Sequence, residues 1–179
     1  AAGGRAAIRA EGIRRLVLVP TMLRRLCEGA PVESVEAVTV AGAKLTAADH
    51  ALCTKTFPKA ALREYYGASE LGFITVTAPG DSASSTAVGK AFPGVRPAVL
   101  DNAGRVLPPG ETGTVFVESP LIATGYLGAG DGAGLARVGA LASVGDLGFL
   151  GADGTLHLLG RSGGMVLSGG NNIYPSEVE

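Results

Sequence analysis

Three short runs rich in β-branched and aromatic residues mark the first part of the chain: Arg15–Pro20 (RLVLVP), Val35–Gly42 (VEAVTVAG) and Ala61–Gly67 (ALREYYG). Both intervals between them read as helices. Thr21–Gly29 (TMLRRLCEG) carries apolar residues at helical spacing behind a threonine cap and ends on a glycine. Leu45–Pro58 repeats the arrangement with Thr46 as its cap, and residues 5–12 read as the end of a preceding helix. An order of strand, helix, strand, helix, strand predicts parallel strands joined by crossover helices.

The texture changes at Ala78–Thr86 (APGDSASST), a Pro/Gly/Ser-rich loop. After it the strands are short and linked by hairpins. RPAVLD and RVL flank Asn102-Ala103-Gly104, Gly113–Ser119 alternates apolar positions, and LGFL and TLHLLG flank Ala152-Asp153-Gly154. The Asp-Gly pair suits a hairpin turn. The expected fold class is therefore α/β: the end of a layered α/β unit with mainly parallel strands, then over residues 87–161 mainly a small antiparallel β-barrel or sandwich. At the C-terminus, Pro175 and the acidic residues behind it form a helix-start signal with about one turn of chain to follow, which is marginal by itself. The N-terminus opens inside a helical pattern. Both ends lead us to expect an excised piece of something longer.

Of the 179 residues, 46% are hydrophobic and 17% charged, with a formal net charge of −1. That composition supports a core and gives no general drive toward nucleic acid or anionic lipid. Arg5, Arg9, Arg14, Arg15, Arg24 and Arg25 make the start basic and read as solvated helix faces. Cys27 and Cys53 lack metal-ligand spacing and fit a reducing cytosol, so the expected location is cytoplasmic. No apolar run approaches the ~18 residues of a membrane span.

Residues 65–72 (YYGASELG) combine an aromatic ring, two glycines, a hydroxyl and a carboxylate. Tyr66 can stack on a nucleotide base, Gly67 admits close backbone approach, Ser69 can donate to a phosphate oxygen, and Glu70 can hold Mg²⁺. By itself the stretch reads better as a strand with a buried Tyr and a Gly-rich turn. Gly80–Lys90 superficially suggests a phosphate loop, but eight residues separate Gly80 from Gly89 and Ala91 follows Lys90, so it reads as a surface loop. His157 reads as a strand residue, His50 as a solvated helix residue, and Lys44 and Lys90 as surface charges.

Taken in order with Val144–Arg161 and Ser162–Glu179, these stretches resemble the AMP-forming acyl-CoA synthetases, an adenylate-forming family that includes luciferase and nonribosomal-peptide adenylation domains. Tyr66-Gly67-Ala68-Ser69-Glu70 resembles the family's Tyr-Gly-x-Thr-Glu, and Val144-Gly145-Asp146 its Thr-Gly-Asp. Gly160-Arg161 matches its Gly-Arg motif. Gly170, Asn172, Ile173, Pro175, Glu177 and Glu179 match a further segment, while Val40–Leu45 and Leu121–Gly128 resemble its Gly-Gly-Ala and Gly-Tyr stretches. The resemblance implies that adenine lies between the Gly42-Ala43-Lys44 backbone and Tyr66. It implies Ser69 at the α-phosphate, Glu70 on magnesium, Asp146 on both ribose hydroxyls and Arg161 on the ribose side. Gly42, Gly67, Ala68 and Gly72 would line the acyl slot.

The implied substrates are a carboxylic acid, ATP and coenzyme A, with Mg²⁺ as cofactor and fatty acid metabolism as the setting. Residues 1–80 would be the end of an α/β subdomain, 87–161 the barrel subdomain and 162–179 the hinge leading to a C-terminal domain. Gly163 stands where the family usually has Asp or Lys, Val144 replaces Thr, and Gly113-Thr114 replaces Gly-Glu. The family's phosphate loop and catalytic lysine are expected outside residues 1–179, so the isolated chain is expected to be inactive. A homo-oligomer or partner chain is expected over its cut face. A carrier-protein-loading adenylation domain and a non-catalytic nucleotide-binding module stand as alternatives.

Overall fold

The computed structural model describes residues 2–81, 86–125, 135–161, 166–168 and 171–173. Two compact units result: Ala1–Tyr66 with Val76–Ser85, and Gly67–Thr75 with Thr86–Glu179.

The first unit runs α1 (Ala2–Ala10), β1 (Arg15–Leu18), α2 (Pro20–Leu26), β2 (Ala37–Ala41), α3 (Ala47–Thr56) and β3 (Ala61–Ala68), whose last two residues belong to the second unit. The strands are parallel, as the alternating pattern predicts, with Leu16, Val38 and Leu62 in one row and Leu18, Val40 and Glu64 in another. One strand face buries Leu16, Leu18, Val38 and Val40 in a core with Ile8, Leu23, Leu45, Cys53 and Phe57. Full burial of side chains such as Leu23 and Phe57 contributes roughly 1.5–3 kcal/mol each. At the end of the strand order, β1 leaves Val17 78% exposed.

Two local expectations change. The residue capping α2 is Val19 rather than Thr21, with Pro20 in the first turn, because proline's fixed φ is already helical and its missing N–H costs nothing there. Thr46 does cap α3: its Oγ1 accepts from Asp49 N–H while the Asp49 carboxylate accepts from Thr46 N–H, a reciprocal box. Nor are all six arginines solvated. Arg5 is buried and donates to the carbonyls of Leu26 and Ala30, supplying donors where the end of α2 leaves acceptors without partners. Arg24 reaches from α2 to Asp49 on α3 through two bonds of 2.7 and 2.9 Å.

The second unit holds β4 (Gly72–Val76), β5 (Ala87–Ala91), β6 (Arg96–Leu100), β7 (Gly113–Glu118), β8 (Ala136–Val138), β9 (Leu141–Ser143), β10 (Asp146–Leu150) and β11 (Leu156–Arg161). A separate short pair is formed by β12 (Val166–Ser168) and β13 (Asn171–Ile173). Antiparallel pairing links β5, β11, β10, β7, β9 and β8 in that order, and β6 also lies against β7. Val99, Leu100, Val115, Val117, Ala142 and Leu156 are buried. Asp153 and Gly154 form the β10–β11 turn as expected, closed by Gly154 N–H to Gly151 O at 2.9 Å. Part of the stretch read as a surface loop is strand β5, where Val88 and Gly89 are buried, and β4 was not anticipated.

Candidate functional site

The candidate residues fall in both units. In the first, the C-terminal ends of parallel strands provide the setting, the position where ligands of open α/β sheets bind. Ala41 pairs with Tyr65, so the Gly42-Ala43-Lys44 backbone leaves β2 at the level of the tyrosine pair. Gly42 sits at φ +96°, a conformation that side chains disfavour, and Tyr66 is half-buried on β3.

A carboxylate not selected from the sequence organises this corner. Glu64 lies one residue before the tyrosine pair, and its side chain is only 7% exposed. Lys44 Nζ donates to Oε1 at 2.7 Å, His50 Nε2 meets the same oxygen at 3.0 Å, and Leu45 N–H donates to Oε2 at 3.0 Å. A carboxylate only accepts, so the His50 proton at this contact is on Nε2. Thr77 holds the Glu64 backbone on both sides, its Oγ1 accepting from Glu64 N–H at 2.8 Å and its N–H donating to Glu64 O at 3.0 Å. Lys44 and His50 are therefore neither surface charge nor solvated residue: a desolvated carboxylate recruits both. Glu64 shares its strand face with Leu62 and Tyr66, in a row with buried Leu18 and Val40, and only the fold brings residues 44, 45 and 50 to it.

In the second unit, Gly67–Gly72 form the turn from β3 into β4. Leu71 N–H closes it onto Ala68 O at 3.1 Å, and Gly72 follows at φ +74°. A Cβ at Gly67 would overlap the Gly72 carbonyl, and one at Gly72 would crowd the Leu121 side chain. The two glycines are thus required by the turn itself. Ser69 is exposed at its tip and Glu70 is half-buried, with Glu70 O accepting from Ala123 N–H at 2.8 Å. Among the described residues no cluster of three metal-ligating side chains occurs. A single carboxylate such as Glu70 suits magnesium, which keeps water and substrate phosphates as most of its ligands.

Asp146 opens β10 and pairs in register with Arg161 at the end of β11. Arg161 Nε donates to Asp146 Oδ1 at 2.8 Å, with the carboxylate 10% exposed and the guanidinium side chain 68% exposed. Upstream, Gly145 at φ +86° turns the chain into β10, and its N–H donates to Ser143 Oγ at 3.0 Å. The family resemblance singled out Asp146 and Arg161 separately; the antiparallel register makes them neighbours. Gly163 and residues 174–179 lie outside the described residues.

Among the described residues no helix is long and apolar enough to cross a membrane. The sequence model of the family described as "AMP-binding enzyme" matches residues 4–127, more than half of the chain. The uncharacterized acyl-CoA ligase YhfT of Bacillus subtilis is 34% identical over 94% of the chain and 34% of its own length. FadD10 of Mycobacterium tuberculosis, a medium/long-chain-fatty-acid–[acyl-carrier-protein] ligase, is 32% identical over 90% of the chain and 33% of its length. Thus the chain spans about a third of the curated relatives it matches. Among solved structures, the amide bond synthetase McbA of Marinactinospora thermotolerans superposes with a TM-score of 0.87 at 29% identity, covering 99% of the chain and 37% of McbA. The O-succinylbenzoate coenzyme A synthetase MenE of Bacillus subtilis, in complex with ATP and magnesium ion, gives 0.86 at 26% identity over 99% of the chain and 38% of MenE.

Proposed function

We propose a reaction from one premise: the chain belongs to the AMP-binding enzyme family. In the full-length protein it takes part in activating a carboxylic acid. The acid's carboxylate oxygen attacks the α-phosphorus of ATP, the bond to the β-phosphate oxygen breaks, and acyl-AMP and pyrophosphate form. The thiol of coenzyme A then attacks the acyl carbonyl, loses its proton and releases AMP. Both steps depend mainly on positioning and charge neutralisation.

Each residue has an assigned role. The Gly42-Ala43-Lys44 backbone and Tyr66 flank adenine, Asp146 accepts from the ribose hydroxyls, and Arg161 holds the ribose side. Ser69 donates to the α-phosphate. Glu70 carries the negative charge that would hold Mg²⁺, which when bound neutralises the phosphates. Gly42, Gly67, Ala68 and Gly72 line the acyl slot, and Gly163 serves as hinge. Residues 1–80, 87–161 and 162–179 correspond to the end of an α/β subdomain, a barrel subdomain and a hinge, and residues 1–179 alone form no acyl-adenylate.

The observation that carries the reading is the Asp146–Arg161 pair, which sets an acceptor and a cation side by side at adjoining strand ends. The test is ATP–pyrophosphate exchange by the full-length protein with a panel of carboxylic acids. Glu70→Gln is expected to lower exchange by about 10²-fold, the scale of losing one electrostatic group in a catalytic site. Absence of exchange with every acid overturns the reading; normal exchange in the variant removes Glu70 from it. FadD10's acceptor is an acyl-carrier protein, so a carrier thiol is the second reading, decided by supplying each thiol in turn.

A further inference from the structure

We propose that Glu64 is a positioning residue for the nucleotide base, acting through the Gly42–Leu45 segment it anchors. The inference rests on the assignment of that segment and Tyr66 to adenine. Glu64 is buried yet occupies no role in the chemistry above. Its two oxygens divide the work. Oε2 takes the Leu45 backbone N–H, which fixes where the segment ends, and Oε1 takes Lys44 Nζ, which fixes how it turns. The other end is fixed at Ala41, in register with Tyr65. Between these two points lie only Gly42, Ala43 and Lys44.

Without the anchor at Leu45, a segment containing Gly42 at φ +96° has wide conformational freedom. Glu64 is also bonded through its own backbone to Thr77, and the next residue but one is Tyr66. One residue therefore sets both the strand carrying the ring and the backbone opposite it in the assigned site. His50, on α3, shares Oε1 with Lys44 and keeps that oxygen from rotating away. A fixed spacing between the segment and the Tyr66 strand suits a flat base stacked between them, so the arrangement bears on affinity for the base rather than on the phosphate chemistry.

The experiment uses the full-length protein and its Glu64→Gln variant. Glutamine keeps the shape and one acceptor, but its amide group faces Lys44 and His50 with donors of its own. The expected result is a rise of about tenfold in KM and Kd for ATP with kcat unchanged within about twofold, on the scale of one charge-assisted hydrogen bond. Inhibition by inorganic tripolyphosphate, which has no base, is unchanged. Hydrogen exchange at the Leu45 amide in the nucleotide-free protein accelerates.

Lys44→Met, which leaves the buried carboxylate in place, is the second variant if Glu64→Gln does not fold. It should shift KM in the same direction, and Lys44→Arg should restore it. If the wild-type protein binds no ATP, the assigned site falls and this role falls with it. If ATP binds and both Glu64→Gln and Lys44→Met keep its affinity, the positioning role alone is overturned. A loss of tripolyphosphate binding equal to that of ATP also overturns it, since the residue would then act on the whole site.

Discussion

Glu64 in the first unit and Asp146 in the second are both carboxylates that fold into contact with a cation, yet the two pairs differ in what surrounds them. Glu64 meets Lys44, His50 and a backbone N–H, and Lys44 is itself only 24% exposed. Asp146 meets an arginine whose side chain is mostly in solvent. The first arrangement is closed by protein groups and serves the fold before any ligand arrives. The second sets its acceptor beside a cation whose side chain is largely exposed, at adjoining strand ends. Under the proposed assignments, the carboxylate closed in by Lys44, His50 and a backbone N–H shapes a site, and the one beside a largely exposed arginine faces its contents.

Substitutions can break this contrast. The largest effect is expected from Glu64→Ala, which leaves Lys44 and the Leu45 N–H without their acceptor. Removing one partner of a buried pair should cost about 3 kcal/mol of unfolding free energy, measured by urea denaturation. Asp146→Ala should cost about 1 kcal/mol in the same assay but weaken ATP binding by about tenfold in calorimetric titration. Equal losses of stability from the two variants would erase the distinction.

Asp49 tests the same idea on the helix pair. Hydrogen bonds from Arg24, against the opposing effect of burial and with help from Thr46, hold its carboxyl well below the usual carboxylate range. A depressed native value means stability that is present above about pH 4, the range of the unfolded carboxyl, and is lost as pH falls toward the native value. Asp49→Asn should therefore cost about 1 kcal/mol near neutral pH, the scale of a helix cap, with the gap closing below about pH 4. A gap independent of pH would assign the residue a role in shape rather than charge. The smallest effect is expected at the buried thiols. Burial pushes Cys53 up to about 12, with Cys27 adding to the rise, and burial raises Cys27 as well. Iodoacetamide should label neither in the native protein on the timescale that labels free cysteine, with mass spectrometry as the readout.

Much of this was legible in the sequence. β-Branched runs gave β1 and β2, the tyrosine pair marked β3, and Thr46 gave the start of α3, because those signals depend on residues a few positions apart. The Asp153-Gly154 turn was legible for the same reason. FITV has the residues of a strand, but it follows the Gly67–Gly72 turn directly, and no break in the pattern sets β4 apart. Val19 was missed as the cap of α2 because nothing in a valine side chain announces it; the signal was Pro20. Glu64 was illegible in a deeper sense. A glutamate in step with Leu62 and Tyr66 is a charge on a core-facing row, and no local pattern encodes the approach of residues 44, 45 and 50 that accommodates it.

The spacing of these contacts along the chain also sets an order of assembly. In the first unit Arg5 reaches residue 26, Arg24 reaches 49 and Lys44 reaches 64, so each tie closes within some 20 to 25 residues. In the second unit β5 pairs with β11, and Thr86 bonds His157 across 71 positions. At a synthesis rate of ~5–20 residues per second that interval is roughly 4–14 s. On a ribosome the three parallel strands can pair as soon as residue 68 has emerged. The β11-facing edge of β5 must wait for β11, through seconds in which another unpaired strand can take its place.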